Sequence, residues 1–290
     1  MRLGNSLPRK NNLKLLFILL CLLLSVVRAN AQNKFGYVLD VRGDWMLNSS
    51  AKLSKGSAVT VGGVVTTPAP ADGGSYIVIA DRTGNIFDRR NCGNSGECSK
   101  PIKIPASSGA EQSLTSRIIG AAMALVSNDP AKYASLVSRG TDLQEAVVKL
   151  EGDRIDLSSV FKNMQGDRYL LRFERMSKRV NISRGRSPQP LEFSWDPKKP
   201  QPLVAKELVP GLYKVSLLEV SLLESDAGAH DPTGNEAWVL VAGPDQYPKA
   251  SSTFDAATKV TKQWGANVRQ NTAREFLRAS LDFINAQYAQ

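Results

Sequence analysis

PGLYKVSLLEV, residues 210–220, and EAWVLVA, residues 236–242, are the two strongest strand signals in the chain. Both are rich in β-branched and aromatic residues, and Pro210-Gly211 supplies a turn at the entrance to the first. Working outward, RYLLRFERM (168–176), EAVVKL (145–150) and DRIDL (153–157) extend the strand pattern towards the N-terminus. Between them and the opening pair lies SPQPLEFSWDPKKPQPL (187–203), with five prolines around a Phe-x-Trp segment. Proline cannot donate to a strand ladder, so LEFSW is expected at a sheet edge between stiff extended segments.

The N-terminal third carries the same signature. YVLDV (37–41), AVTVGGVVTT (58–67) and SYIVIAD (75–81) are β-branched and aromatic, punctuated by Gly, Pro and Asp. SYIVIADRTGNIFDRR is expected to form a hairpin, with its turn over Asp81–Asn85. Two stretches break to helical spacing. Leu114, Ile118, Ala122 and Leu125 form one apolar stripe that Ser127-Asn128-Asp129-Pro130 ends, and Pro130 to Arg139 adds a short second helix. At the C-terminus SSTFDAATKVTKQW has a candidate cap at Ser252. NTAREFLRASLDFINAQY has one at Asn271 or Thr272 with Glu275 as capping-box partner, and buries Phe276, Leu277, Leu281 and Ile284. These last helices form a hairpin that either packs on the sandwich or presents a face to a partner.

VRGDWMLNSSAKLSKGSAVTVGGVVTT (41–67), with its Leu53-x-x-Gly56-x-x-Val59 pattern and the Asp81-x-x-Gly84 turn of IVIADRTGNIF, resembles the periplasmic β module of FecR-type proteins. The resemblance covers residues 37–90 and implies that module's fold. The family's signal-relay role uses a membrane anchor and a cytoplasmic arm that this reading does not find, so the role is not carried over. FSWDP, LVPGLYKVSLLE and WVLVA, within Leu191–Gly243, resemble an immunoglobulin or fibronectin-type sandwich, a fold that hosts unrelated functions.

The first 31 residues read as a signal peptide. Arg2, Arg9, Lys10 and Lys14 precede a thirteen-residue apolar run, Leu15–Val27, and Ala29-Asn30-Ala31 offers a cleavage site after Ala31. A membrane span takes about 20 residues, so a retained anchor is the weaker alternative. Cys21 lies within the run behind Leu20, where a lipoprotein signal wants a small residue. The segment carries five of the 37 basic residues and no acid, so the mature chain would hold 32 basic against 27 acidic residues, a net charge of +5. That excess argues against a dedicated nucleic-acid binder. The expected location is periplasmic or secreted, with no transmembrane segment once the signal is removed.

In an oxidising compartment Cys92 and Cys98, in RNCGNSGECSKPIKIP (90–105), are expected to pair as a disulfide, with a reactive thiol pair as the alternative. Closing so short a loop stabilises by roughly 2 kcal/mol on the chain-entropy model. Their Cys-x5-Cys spacing is not a thioredoxin motif, and one histidine, His230, cannot complete a zinc site. His230 precedes Asp231 in a loop-like stretch, where a solvated turn is expected rather than a catalytic dyad. Ser-x-x-Lys occurs at Ser49/Lys52 and Ser159/Lys162 without the accompanying Ser-Asp-Asn or Lys-Thr-Gly, and reads as coincidence. Arg42-Gly43-Asp44 reads as a tight turn, and Asn181-Ile182-Ser183 would be a glycosylation acceptor only on a eukaryotic route.

No catalytic, cofactor or metal residues are assigned. The most conspicuous charge feature is Arg168, Arg172, Arg175, Lys178, Arg179, Arg184 and Arg186, seven cations against one acid, Glu174. In a strand Arg168, Arg172 and Glu174 share the solvent side and Leu171 and Phe173 face inward. The stripe reads either as a solvated face or as a contact for anionic glycan, lipid headgroups or an acidic protein. The expected organisation is mainly β within α+β: signal peptide 1–31, FecR-like module 32–108, helical connector 109–140, immunoglobulin-like region 141–248 and helical segment 249–290. The expected role is a non-catalytic binding or scaffolding protein of the bacterial envelope that contacts other envelope proteins. The alternatives are a binder of anionic surface polymer through the basic stripe and an enzyme of unrecognised class.

Overall fold

The structure is a computed structural model that describes residues 34–67, 75–89, 100–106, 113–137, 146–158, 160–161, 169–176, 189–196, 198, 203–204, 208–219 and 236–288. Within them the fold is α+β, with helices and strands in comparable measure.

The N-terminal strands form two facing four-stranded sheets. One has the order β4-β1-β6-β7, with β1 Lys34–Arg42, β4 Ala58–Thr60, β6 Tyr76–Asp81 and β7 Ile86–Arg89. The other has the order β3-β2-β5-β8, with β2 Met46–Leu47, β3 Ala51–Lys52, β5 Val64–Thr66 and β8 Ile102–Lys103. Phe35, Val38, Trp45, Leu47, Val65, Ile77 and Ile79 fill the space between them. AVTVGGVVTT therefore divides at Gly62-Gly63 into β4 and β5, one strand for each sheet. The expected hairpin joins β6 to β7, and Asp81 holds its turn by accepting from the Thr83 and Asn85 amides at 2.8 and 2.9 Å. Gly43 has φ +90 against the Ser75 side chain, which accounts for Arg-Gly-Asp as a turn.

The register between β1 and β6 slips between Val38 and Asp40. A bulge re-aims side chains, and here Leu39 joins the core beside the helices while Asp40 accepts from the Tyr76 hydroxyl at 3.3 Å. The outer face of this sheet thus becomes the seat of a helical layer. That layer consists of α1 Leu114–Asn128, α2 Pro130–Val137, α3 Tyr247–Trp264 and α4 Gln270–Tyr288. The Ser113 side chain caps α1 by accepting from the Ser116 amide, and Pro130 opens α2 as the sequence suggested. Gly56, at φ +84, lets the turn before β4 approach α1. A Cβ there would lie 2.5 Å from the Ser127 Cβ and 2.9 Å from the Met123 carbonyl.

Two boundaries differ from expectation. Helix α3 begins at Tyr247 rather than at Ser252, because Pro248 in the first turn gives up an amide that no intrahelical acceptor needs. Helix α4 begins at Gln270, and Glu275 does not close a capping box, because its carboxylate turns to Lys55 of the N-terminal sandwich.

The opening pair of strands lies at the centre of the second sheet, of order β12-β11-β14-β15-β9. Its strands are β9 Ala146–Leu150, β11 Tyr169–Arg175, β12 Leu191–Trp195, β14 Gly211–Glu219 and β15 Glu236–Ala242. All neighbours are antiparallel except β15 and β9, which run parallel. LEFSW is the edge strand that its prolines demanded. On one face Tyr169, Leu171, Phe173, Tyr213, Val215, Leu217, Val239 and Trp195 pack against Ile155, Leu157, Phe161 and Leu208. There the short strands β10 Arg154–Ile155 and β13 Leu203–Val204 pair as a second sheet. On the other face Leu212, Trp238, Leu240 and Ala242 pack against the helices.

The helices expected as a connector and as a tail are therefore one layer between the two sandwiches, sharing a single core. Strand periodicity could not reveal this, because β14 and β15 are buried on both faces and show little alternation.

Candidate functional site: the corner of the α3–α4 hairpin

Helix α4 carries Glu275, Arg278 and Asp282 at spacings of three and four, which puts them on one side of the helix. All three are engaged, each by a different part of the fold. Lys55 of the N-terminal sandwich donates to Glu275 Oε2 at 2.7 Å. Lys132 and Tyr133 of α2 donate to Asp282 Oδ2 at 2.8 and 3.1 Å. The Arg278 guanidinium lies 3.5 Å from the ring centroid of Trp238 on β15 and donates through Nη2 to Asp282 Oδ1 at 3.0 Å.

Arg278 is 1 % exposed, and among the described residues its Nε and Nη1 have no hydrogen-bond partner. Burial lowers its pKa from the ordinary arginine value, opposed by the nearby Asp282, Tyr133 and Glu236. Arginine nevertheless stays charged. Stacking on an indole compensates part of the desolvation, by about 2 kcal/mol in a dry site. Burial, followed by the Asp282 charge and hydrogen bond, raises the Tyr133 pKa well above the usual tyrosine value. This stripe is a structural key that sets the angle of α4 against both sandwiches.

The other end of α4 meets α3 at a tight corner. Gly265 closes α3 with φ +47, and a 3₁₀ turn over Gly265–Asn267 leads to α4. The corner is fixed to the N-terminal sandwich. Trp264 Nε1 donates to the Gly84 carbonyl at 3.1 Å, and Gln263 Nε2 donates to Asn85 Oδ1 at 3.2 Å. The Arg269 guanidinium covers the Tyr76 ring at 4.4 Å, with its Nε 3.7 Å from Asp40 Oδ2. The Asp81–Asn85 turn thus serves as a platform for the hairpin.

Beside this corner α3 and α4 enclose a groove of about 720 Å³. Its apolar lining comes from Phe254, Val268, Ala273 and Leu277, and Lys262 and Arg274 supply its charge. The Thr258 and Thr261 hydroxyls, also on the groove, donate back to the Phe254 and Thr258 carbonyls at 3.0 and 2.9 Å. Among the described residues no Asp, Glu, His or Cys lines it. The sequence held a signal for this place: residues 256–274 contain Lys259, Lys262, Arg269 and Arg274 and no acid. That run is sparser in cations than the stretch over residues 168–186.

Of that upstream stripe, Arg172 and Arg175 lie in the described residues. Arg172 and Glu174 do face away from the buried Leu171 and Phe173. Arg172 Nε is paired with Glu192 Oε1 of β12 at 2.8 Å, and Arg175 Nη2 donates to the Pro210 carbonyl at 2.7 Å. Both arginines brace neighbouring strands. Arg168, Lys178, Arg179, Arg184 and Arg186 lie outside the described residues, as do Cys92, Cys98, His230 and Asn181–Ser183. The strands flanking the cysteine segment, β7 and β8, belong to opposite sheets of the N-terminal sandwich. Lys52 pairs with Asp44 at 2.6 Å and Ser49 sits in the β2–β3 turn at φ +57, which leaves that Ser-x-x-Lys without a nucleophile–base contact, while Ser159 and Lys162 lie outside the described residues.

Among the described residues no group of His, Cys, Asp and Glu is arranged to hold a metal ion. No described helix is long and apolar enough to cross a membrane. No protein-family model, curated protein or solved structure matches the chain.

Proposed function

We propose that the protein is a non-catalytic binding scaffold of the bacterial envelope, periplasmic or secreted, that contacts other envelope proteins through the corner of its helical hairpin. The observation that carries this reading is the groove of about 720 Å³ beside Lys262 and Arg274. Its size falls within the range of ligand sites, and its apolar lining with a few polar groups is the composition such sites use. The buried charges on α4 are engaged in holding layers together, and among the described residues no acid lines the groove.

The architecture supports the two resemblances. The sheet order β12-β11-β14-β15-β9 with a parallel β15–β9 pair, opposed by β10–β13, corresponds to a strand arrangement of C′-C-F-G-A opposed by B-E in an immunoglobulin-like sandwich. The Tyr213 hydroxyl donates to the Val209 carbonyl at 2.8 Å, in the manner of the tyrosine corner of such domains. The Leu53-x-x-Gly56-x-x-Val59 and Asp81-x-x-Gly84 segments lie in the N-terminal sandwich, as a FecR-like module would have them. In this reading both sandwiches frame the helices rather than bind on their own.

The experiment is affinity capture of the intact exported protein from its native envelope, with Lys259→Glu/Lys262→Glu and Arg172→Glu/Arg175→Glu as paired variants. The scaffold reading expects a saturable protein partner that the first pair loses and the second keeps. Loss on the second pair alone, with capture of anionic polymer, would favour the basic stripe instead. Recovery of no partner would count against both.

A further inference from the structure

We infer that the groove between α3 and α4 takes an acidic, amphipathic segment of a partner protein, with apolar side chains seated on Phe254, Val268 and Leu277 and carboxylates towards Lys262. This deepens the scaffold reading and rests on it. The occupant follows from two features of the site. The walls are apolar, and a polar polymer would gain little from covering Phe254 or Leu277. The charge is of one sign: the lining includes Lys262 and Arg274 and, among the described residues, no acid.

Lys259 and Lys262 are exposed on α3, and the nearest acids in sequence, Asp255 and Glu275, flank the run; Glu275 is buried against Lys55. A segment with acids between its apolar anchors would complement both features, steering its approach through charge and holding through burial. The groove is braced against the N-terminal sandwich through Trp264, Gln263 and Arg269, so it is preformed, which keeps the ordering cost on the partner's side.

The test uses the mature chain and a synthetic amphipathic peptide of about sixteen residues, enough for several helical turns of Leu and Phe anchors with Asp and Glu between them. A second peptide carries Asn and Gln at every acidic position. Binding is followed by fluorescence anisotropy and by amide chemical shifts of residues 254–277. The acidic peptide should bind saturably and shift amides around the groove. The neutral peptide should bind roughly ten-fold more weakly, and raised salt should narrow that gap. Lys262→Glu should weaken the acidic peptide by roughly three- to ten-fold, while Lys249→Glu, at the far end of α3, should not. Thr258→Trp, which fills the groove from a half-buried position, should abolish binding while leaving the thermal melt cooperative.

Equal binding of the two peptides, no binding of either, or binding indifferent to Thr258→Trp would overturn the inference. So would groove-dependent binding to phosphatidylglycerol vesicles by a protein that ignores the peptide, because that would make the occupant a lipid surface. If the peptides fail while affinity capture still returns a partner through the same corner, the scaffold reading survives and the acidic occupant does not.

Discussion

Two arrays of charge in this molecule carry opposite lessons. On β11 the arginines are dense in sequence, half-exposed in space, and spent on neighbours: Arg172 on Glu192 and Arg175 on the Pro210 carbonyl. On α4 three charges spaced among apolar residues are drawn inside the fold, where each reaches a different layer. A cation facing water pairs weakly because solvent and salt screen it. A charge in a dry site must be matched, or the fold loses several kcal/mol. Density along the chain therefore points to the array that matters less.

The contrast breaks most sharply at Asp282. Asp282→Ala would leave Arg278 buried without its anion and remove the acceptor of Lys132 and Tyr133. A loss of about 3–5 kcal/mol in urea unfolding is expected, with an unchanged slope against denaturant. Gly56→Ala comes next. It forces an alanine into positive φ and against the Ser127 Cβ, which should cost about 2 kcal/mol and loosen α1 from the N-terminal sandwich.

Tyr133→Phe is smaller at neutral pH, about 1 kcal/mol for one hydrogen bond, and it sharpens the account through pH. Burial and Asp282 raise the Tyr133 pKa in the folded protein, while in the unfolded chain it ionises near the ordinary tyrosine value of about 10. Its contribution to stability is therefore fully present below about pH 10 and is lost as pH rises above it. The stability of the parent protein should fall with rising pH in that range, and Tyr133→Phe should flatten the fall. Equal slopes would mean that burial beside Asp282 does not raise the Tyr133 pKa. The smallest effect belongs to the array that the sequence advertised: Arg172→Ala should change stability by no more than about 1 kcal/mol.

Much of the fold was legible. Prolines put LEFSW at a sheet edge, Asp81–Asn85 gave the hairpin turn, and Asp129-Pro130 divided α1 from α2. Each is a local rule that tertiary context did not override. The joint helical layer was not legible, because its halves are separated by the whole second sandwich and each looked like an ordinary amphipathic helix. The burial of Glu275, Arg278 and Asp282 was missed for the same reason. Phe276, Leu277, Leu281 and Ile284 mark one buried face, and nothing in their spacing announces that α4 is enclosed on its charged side as well. The groove was missed because an absence of acids is a quieter signal than a run of arginines.

The most direct test of the central claim, that contact is made at the hairpin corner and not on β11, is a photo-crosslinking residue installed at Ala266, which is exposed and lines the groove, and, separately, at Glu174, in the protein within its native cells. The account predicts a discrete protein adduct from Ala266 and none from Glu174. An adduct from Glu174 with none from Ala266 would contradict it.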